Sequence, residues 1–135
     1  MQQGLYLYLG DIIMNKSKKM LYKITDEYIE TFGLDESYKD KTIALYDDRI
    51  NHIERHREDF TDPLFLDIVF RDLSLIVSNP DFISEDKKNN SLQIVKKMED
   101  NVLVAVRISS GPILKIKTIY PINETKYNKL KTNKL

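Results

Sequence analysis

Three segments rich in β-branched residues lie close together near the end of the chain, and they constrain the fold more than any other feature. They are SLQIVKKME (91–99), NVLVAVRIS (101–109) and ILKIKTIYP (113–121), each with the composition of a strand. The breaks between them, around Asp100 and at Ser109–Pro112, are too short for the crossover that parallel strands require. The sequence therefore predicts an antiparallel β-meander at the C-terminal end.

The segment before the meander carries helix signals. Thr25 can cap a short helix that has acidic residues in its first turn and ends at Gly33. Asp47 is predicted to cap a helix of about a dozen residues. Asp62-Pro63 begins a further helix with a wide apolar stripe, which ends near Asn79-Pro80 because the residue before a proline resists the α conformation.

Short extended candidates also occur in the N-terminal third. LYLYL (5–9) and LYKI (21–24) could pair with each other, and KTIALY (41–46) has strand composition. Helices that precede an antiparallel three- or four-stranded sheet make an α+β domain. The sequence thus predicts N-terminal helices packed on a C-terminal antiparallel meander.

The length of 135 residues fits a single domain (1–135), which we divide into an N-terminal extension (1–40), a core (41–122) and a basic tail (123–135). The 21 basic residues balance the 21 acidic ones, so the net charge predicts no field toward nucleic acid or anionic membrane, although a local basic site remains compatible with it. The chain has no cysteine, which excludes disulfides and cysteine-ligated zinc. No signal-peptide pattern or membrane-length apolar stretch is present, so we expect a cytoplasmic protein without membrane contact.

The segment INHIERHRED (50–59) contains the only two histidines, His52 and His56. On a helix, Arg49, His52 and His56 fall within an arc of about 60°. Two residues that border this arc are expected to face the core, namely Ile53 and Phe60. The imidazoles are therefore predicted to lie at the rim of the core, held in place but with accessible polar tips.

Three interpretations of the histidine pair are considered. A metal site needs a third ligand and, in the zinc-protease pattern, a glutamate directly after the first histidine, whereas position 53 is isoleucine; we expect no metal and no cofactor. The pair could be purely structural, since histidine is often half-buried. It could also be an acid–base pair, because an imidazole pKa of about 6.5 lets one ring accept a proton while the other donates one.

The last strand offers two hydroxyl groups for binding a phosphate. Alternation places Thr118 and Tyr120 on one face, together with Leu114 and Ile116. Side chains two residues apart on one face can reach the same bound group. Ordinary packing of residues with high β-propensity is the structural interpretation of the same pair.

Cationic side chains of the meander are candidates for binding substrate. Arg107 interrupts an apolar strand and could neutralise a phosphate, although an arginine at a sheet edge can equally extend to solvent. Lys117 alternates with Lys115 on one face, which is also the pattern of a solvated sheet surface. Arg107 and Lys117 are the two predicted substrate-binding residues.

The order of these motifs resembles a known family. "IALYDDRINHIERHRE", "LIVSNPDFI" and "VLVAVRISS…ILKIKTIYPI" resemble, over roughly residues 40–122, the phage-associated barnase–EndoU–colicin E5/D–RelE-like nuclease domains. The resemblance implies a metal-independent ribonuclease fold found in prophages and mobile elements, as a toxin or attached to phage structural proteins. Transferred position by position, it implies a catalytic site made of His52, His56, Thr118 and Tyr120.

Three classes of function follow. The first is a metal-independent endoribonuclease, such as a phage or mobile-element toxin, that cleaves RNA by 2′-hydroxyl transesterification; its partners would be RNA and a cognate antitoxin or host protein. The second is a non-catalytic phage-encoded binding or inhibitor protein on the same fold that engages a host protein or RNA. The third is a structural prophage component. The balanced net charge favours the second, since ribonucleases gain affinity from a basic groove.

Overall fold

The computed structural model describes residues 17–135, in which strands and helices alternate irregularly. The strands are β1 (Lys18–Lys23), β2 (Thr42–Tyr46), β3 (Phe82–Asp86), β4 (Ser91–Lys97), β5 (Asn101–Arg107) and β6 (Ile113–Ile122). The α-helices are α1 (Asp26–Phe32), α2 (Ile50–Glu54), α3 (Phe65–Arg71), α4 (Leu73–Ser78) and α5 (Glu124–Thr132). Single 3₁₀ turns are formed by Glu36–Tyr38, Asp47–Arg49 and Arg57–Asp59.

Helix α1 begins and ends as its sequence signals predict. The Thr25 hydroxyl accepts a hydrogen bond from the Tyr28 N–H at 3.1 Å. Gly33 closes the helix with φ of 73°, a left-handed conformation that glycine adopts without a Cβ penalty. A Cβ at Gly33 would also lie 2.7 Å from the Leu135 carbonyl carbon, so the position is restricted by space as well as by conformation.

The helix predicted from Asp47 is shorter than expected. Only α2 is α-helical; a 3₁₀ turn lies on each side of it, and no side-chain hydrogen bond caps the segment at Asp47. The α-helical hydrogen bonding stops just before Arg57. The Arg57 guanidinium donates to the Glu54 carboxylate at 2.7 and 2.9 Å, to Asp67 Oδ1 at 2.7 Å and to the Pro63 carbonyl oxygen at 2.8 Å. These contacts draw the chain toward α3, and a helix this short has little stability of its own to resist them.

The sheet is mixed, with the order β1-β2-β6-β5-β4-β3. Its pairs are antiparallel except β2 with β6, which are parallel over Thr42–Ala44 and 113–115. The class α+β is therefore correct and β4–β6 form the predicted meander, but the predicted separation of helices and strands is wrong. Two strands precede most of the helices, β3 was missed because FISED is short, and α5 follows the sheet.

Other predicted elements differ in extent. The helix after Pro63 is divided at Asp72 into α3 and α4, and it ends at Ser78 with Asn79 as its C-cap, as the stop at Asn79-Pro80 predicted. The LYKI segment falls largely within β1, which pairs with β2. Its expected partner, LYLYL (5–9), lies outside the described residues. Within residues 17–135 no helix has the length and apolar character needed to cross a membrane.

The two faces of the sheet bury different clusters. The first face packs against α1–α4, and the β5 side chains on it are Val102, Val104 and Val106. The second face carries Leu103 and Ala105, which cluster with Tyr127 of α5. The predicted alternation of β5 is confirmed. Because α5 is short, it covers only part of the second face.

A β-bulge at Lys117 changes the alternation of β6. Thr118 pairs with Ala105 while Ile116 pairs with Val106, so Lys117 is one residue more than β5 can match. Leu114 and Ile116 consequently belong to the first-face core, whereas Tyr120 packs on the second-face cluster. The prediction that Leu114 and Ile116 share a face with Thr118 and Tyr120 is wrong, although the two hydroxyl residues do share one.

Candidate functional site

Helix α2 packs beside the later part of β6, which pairs with β5 on one side and has no paired strand on its β2 side. Strand β2 pairs with β6 only over 113–115, which leaves later backbone groups of β6 for other partners. The Arg49 guanidinium donates from Nε and Nη2 to the Lys117 carbonyl oxygen at 3.0 and 2.7 Å. Ile53 is fully buried in the first-face core. The α2 segment therefore has two anchors, the hydrogen bonds of Arg49 to β6 and the packing of Ile53 in the core. This packing places the histidine segment beside the last strand.

Three aromatic rings form a row between α2 and β6. The ring centroids of His56 and Tyr120 are 5.4 Å apart, and those of His52 and His56 are 6.2 Å apart. Thr118 lies two residues before Tyr120, and its Oγ1 is buried without a hydrogen-bond partner within residues 17–135. The structure therefore brings three of the predicted site residues together and places Thr118 on the same face as Tyr120.

A carboxylate orients His56. Asp59 Oδ2 lies 3.0 Å from His56 Nδ1. Because a carboxylate only accepts hydrogen bonds, Nδ1 carries the proton and Nε2 is left for another partner. Asp59 was not singled out from the sequence, although its spacing of three residues from His56 was a usable signal.

His52 lies in a different electrostatic environment. Partial burial lowers the pKa of its imidazole below the usual value, and the positive charges of Arg49 and Arg55 lower it further, with a smaller contribution from His56. Both effects disfavour the charged ring. His52 is therefore neutral at neutral pH and able to accept a proton.

The Tyr120 phenol is kept in its protonated form. Burial raises the pKa of Tyr120, and the negative charge of Asp86 raises it further. The Lys126 Nζ from α5 lies 5.7 Å from the ring centroid. A phenol that does not ionise near neutral pH remains a hydrogen-bond donor, which is what an anionic group at this position would need.

A basic cavity of about 410 Å³ lies next to the ring row. Four of its lining side chains are cationic, Asp48 is the acidic one, and the histidines are not part of the lining. The lining residues are Tyr46, Asp48, Arg49, Arg107, Ser109, Ile113, Lys115, Ile116 and Lys117. Arg49 is one helical turn before His52 and Lys117 precedes Thr118, so the cavity adjoins the ring row along both α2 and β6.

Both residues predicted to bind substrate, Arg107 and Lys117, line this cavity. Sequence reasoning left Lys115 as a solvated surface residue and did not consider Tyr46 or Ser109. Their positions depend on the parallel β2–β6 pairing and on the bulge, which no local pattern indicates. Within residues 17–135 no group of three or more His, Asp or Glu side chains is close enough to hold a metal ion.

The fold and site define a small α+β domain with an imidazole pair beside a cation-lined cavity. The chain belongs to the family described as phage-Barnase-EndoU-ColicinE5/D-RelE like nuclease3, whose model matches residues 18–129. The family resemblance in the sequence is thus confirmed, and the matched region also includes β1 and α1. Comparisons with curated proteins and with solved structures found no match.

Proposed function

We propose that the protein is a metal-independent endoribonuclease that cleaves RNA through its own 2′-hydroxyl. The observation that carries the proposal is the row of rings from His52 through His56 to Tyr120, beside a basic cavity, in a member of a nuclease family. This reaction needs a group that accepts a proton, a group that donates one and donors for the phosphorane. The site offers each of these from its own side chains.

In the proposed first step His52 is the general base. Its lowered pKa keeps the ring neutral, so it can take the proton of the 2′-hydroxyl as that oxygen forms a bond to the adjacent phosphorus. The product of this attack is a pentavalent phosphorane. Tyr120, held protonated, can donate a hydrogen bond to its oxygens. Thr118 lies on the same face, but its Oγ1 is buried, so we propose that it supports the site beside Tyr120 and does not contact the phosphorane.

In the second step His56 is the general acid. Asp59 holds the ring through Nδ1, and His56 donates a proton to the 5′-oxygen as the bond between phosphorus and that oxygen breaks. The products are a 2′,3′-cyclic phosphate on one fragment and a 5′-hydroxyl on the other. Arg107 and Lys117 are proposed to bind the substrate backbone from the neighbouring cavity.

The local charge removes the main objection to this function. A chain with a net charge of zero provides no overall attraction to RNA. Four cationic residues nevertheless line one cavity, and Asp48 is the acidic residue in that lining. Phosphate neutralisation by such a cluster supplies affinity for the backbone. We propose that the protein acts as a toxin of phage or mobile-element origin, with RNA as substrate and a cognate antitoxin or host protein as a further partner.

The proposal is tested with purified protein and total RNA in the presence of EDTA. We expect cleavage that resists EDTA and leaves 2′,3′-cyclic phosphate ends, which phosphatase does not remove until acid opens the ring. Cleavage that stops in EDTA and returns with added Mg²⁺ would contradict metal independence. If the wild-type protein does not cleave but retains a partner on an affinity column, the binding-protein function would replace the enzyme.

The pH dependence of cleavage tests the role of His52. A lowered pKa leaves this base neutral below the usual histidine range, so kcat/KM should stay high to pH values below about 6.5 and fall only as pH decreases further. Arg55→Gln removes one of the charges that lower this pKa, so the acidic limb should move to higher pH. Arg71→Gln, which removes an arginine paired with Asp72 on α3, is the matched control. An unchanged limb in Arg55→Gln would contradict the assignment of His52 as base.

A further inference from the structure

The basic cavity has a composition that goes beyond general attraction to RNA. Arg107 is exposed at the end of β5, and its guanidinium forms no ion pair or hydrogen bond within residues 17–135. An unpaired guanidinium in a cavity is a strong donor for phosphate, since it can make two parallel hydrogen bonds. The single carboxylate in the lining, Asp48, does not offset four cations. The cavity therefore favours an anion.

The other cations are held in place by the protein. Arg49 is fixed by its two bonds to the Lys117 carbonyl oxygen. The Lys117 Nζ donates to the Asn89 carbonyl oxygen at 3.2 Å. The Lys115 Nζ lies 4.7 Å from the centroid of the Tyr46 ring, a cation–π distance. Cations that are already positioned lose little freedom when an anion binds.

The size and walls of the cavity indicate a ligand larger than an inorganic ion. Its volume of about 410 Å³ falls within the range of small-molecule sites. Its lining includes apolar Ile113 and aromatic Tyr46. Cationic and apolar walls together suit a ligand that carries both a phosphate and a planar base.

The cavity is also displaced from the ring row along β6. Lys117 and Tyr120 are three residues apart, which corresponds to about 10 Å along a strand. Neither histidine lines the cavity, so we assign the phosphate that reacts between them and the phosphate bound by Arg107 to different positions of the substrate. A single-stranded substrate that follows β6 would place a neighbouring nucleotide in the cavity.

We propose that the cavity is a nucleotide subsite, which binds the phosphate and base of a nucleotide adjacent to the cleaved bond, with Arg107 as the main phosphate ligand. Its place beside the cleaved bond rests on the proposed ribonuclease function. Its capacity to bind a nucleotide does not, because that depends on the cavity alone. The two can therefore be tested separately.

The binding test uses adenosine 5′-monophosphate, inorganic phosphate and adenosine as probes, followed by amide NMR shifts. We expect saturable binding of the monophosphate, with shifts at the cavity residues 113–117, and weaker binding of the other two probes. Arg107→Gln should weaken binding of the monophosphate by about 10- to 100-fold, the equivalent of one lost charge-assisted hydrogen bond. Arg71→Gln, the matched control on α3, should bind like wild type.

Several outcomes would overturn the subsite. These are no saturable binding of the monophosphate, binding by Arg107→Gln within twofold of wild type, or equal affinity for inorganic phosphate and the monophosphate. A kinetic arm tests its place in the reaction: Arg107→Gln should raise KM for an oligonucleotide but not for a dinucleotide. If the monophosphate binds as expected while RNA is not cleaved, the cavity is supported and the ribonuclease function fails.

Discussion

Replacing His56 or His52 by alanine should lower kcat for RNA cleavage by about 10²- to 10⁴-fold, the usual contribution of a positioned acid or base. Each variant removes one of the two proton transfers, and both leave the cavity intact, so KM should change little. Because the two residues act in one reaction, the double variant should lose much less than the product of the single effects. Single-turnover cleavage of a labelled oligonucleotide measures each value.

Asn51→Ala is the matched control for these variants. Asn51 is exposed on α2 directly before His52 and does not line the cavity, so its replacement should retain wild-type kcat. Both histidine variants should unfold within about 0.5 kcal/mol of wild type, since the imidazoles lie at the rim of the core. Residual kcat within threefold of wild type in both histidine variants would show that the pair is structural.

The C-terminal strands were predictable because their determinants are local. Alternating β-branched residues and short connections are enough to define β4, β5 and β6 and their antiparallel pairing. The parallel pairing of β2 with β6 was not predictable, since it joins residues such as Ile43 and Leu114 that are far apart in the sequence. Strand β3 was missed because five residues do not establish a period.

The candidate site was predictable only in part. Helical phase correctly indicated that Ile53 and Phe60 are buried, which left the imidazoles at the rim. The contact of His56 with Tyr120 required knowledge that α2 packs beside β6, and the face of Tyr120 depends on the bulge at Lys117. A bulge inserts one residue without a composition signal of its own, so strict alternation assigned the wrong neighbours to Tyr120.

The charge distribution shows why totals are a weak guide to function. Equal numbers of acidic and basic residues favoured a binding protein over a nuclease. Many of the carboxylates, however, are paired away from the cavity, as in Glu54 and Asp67 with Arg57 and Glu124 with Lys97. The cations of β5 and β6 meet at the cavity only after folding. A neutral sequence can therefore present a local field suited to a phosphate backbone.

Ile53→Ala should reduce the free energy of unfolding by about 2–5 kcal/mol, the range for removing a buried isoleucine side chain. Ile53 is the fully buried α2 residue in the first-face core, and Ile50 packs against that core while partly exposed. A helix of five residues has little stability without such packing, so the histidines should also lose their alignment with Tyr120. We therefore expect kcat to fall under conditions in which the variant is still folded.

Urea denaturation gives the stability change, and cleavage is then measured at urea concentrations well below the midpoint. Ile53→Val is the conservative comparison, with an expected cost of about 0.5–1.5 kcal/mol and nearly wild-type kcat. Ile53→Ala could lower the free energy of unfolding by the whole expected amount and still leave kcat unchanged. That result would mean that the hydrogen bonds from Arg49 to the Lys117 carbonyl oxygen hold the histidines in place without the core contact. The two anchors of α2 can be separated in this way, because one acts through packing and the other through hydrogen bonds to β6.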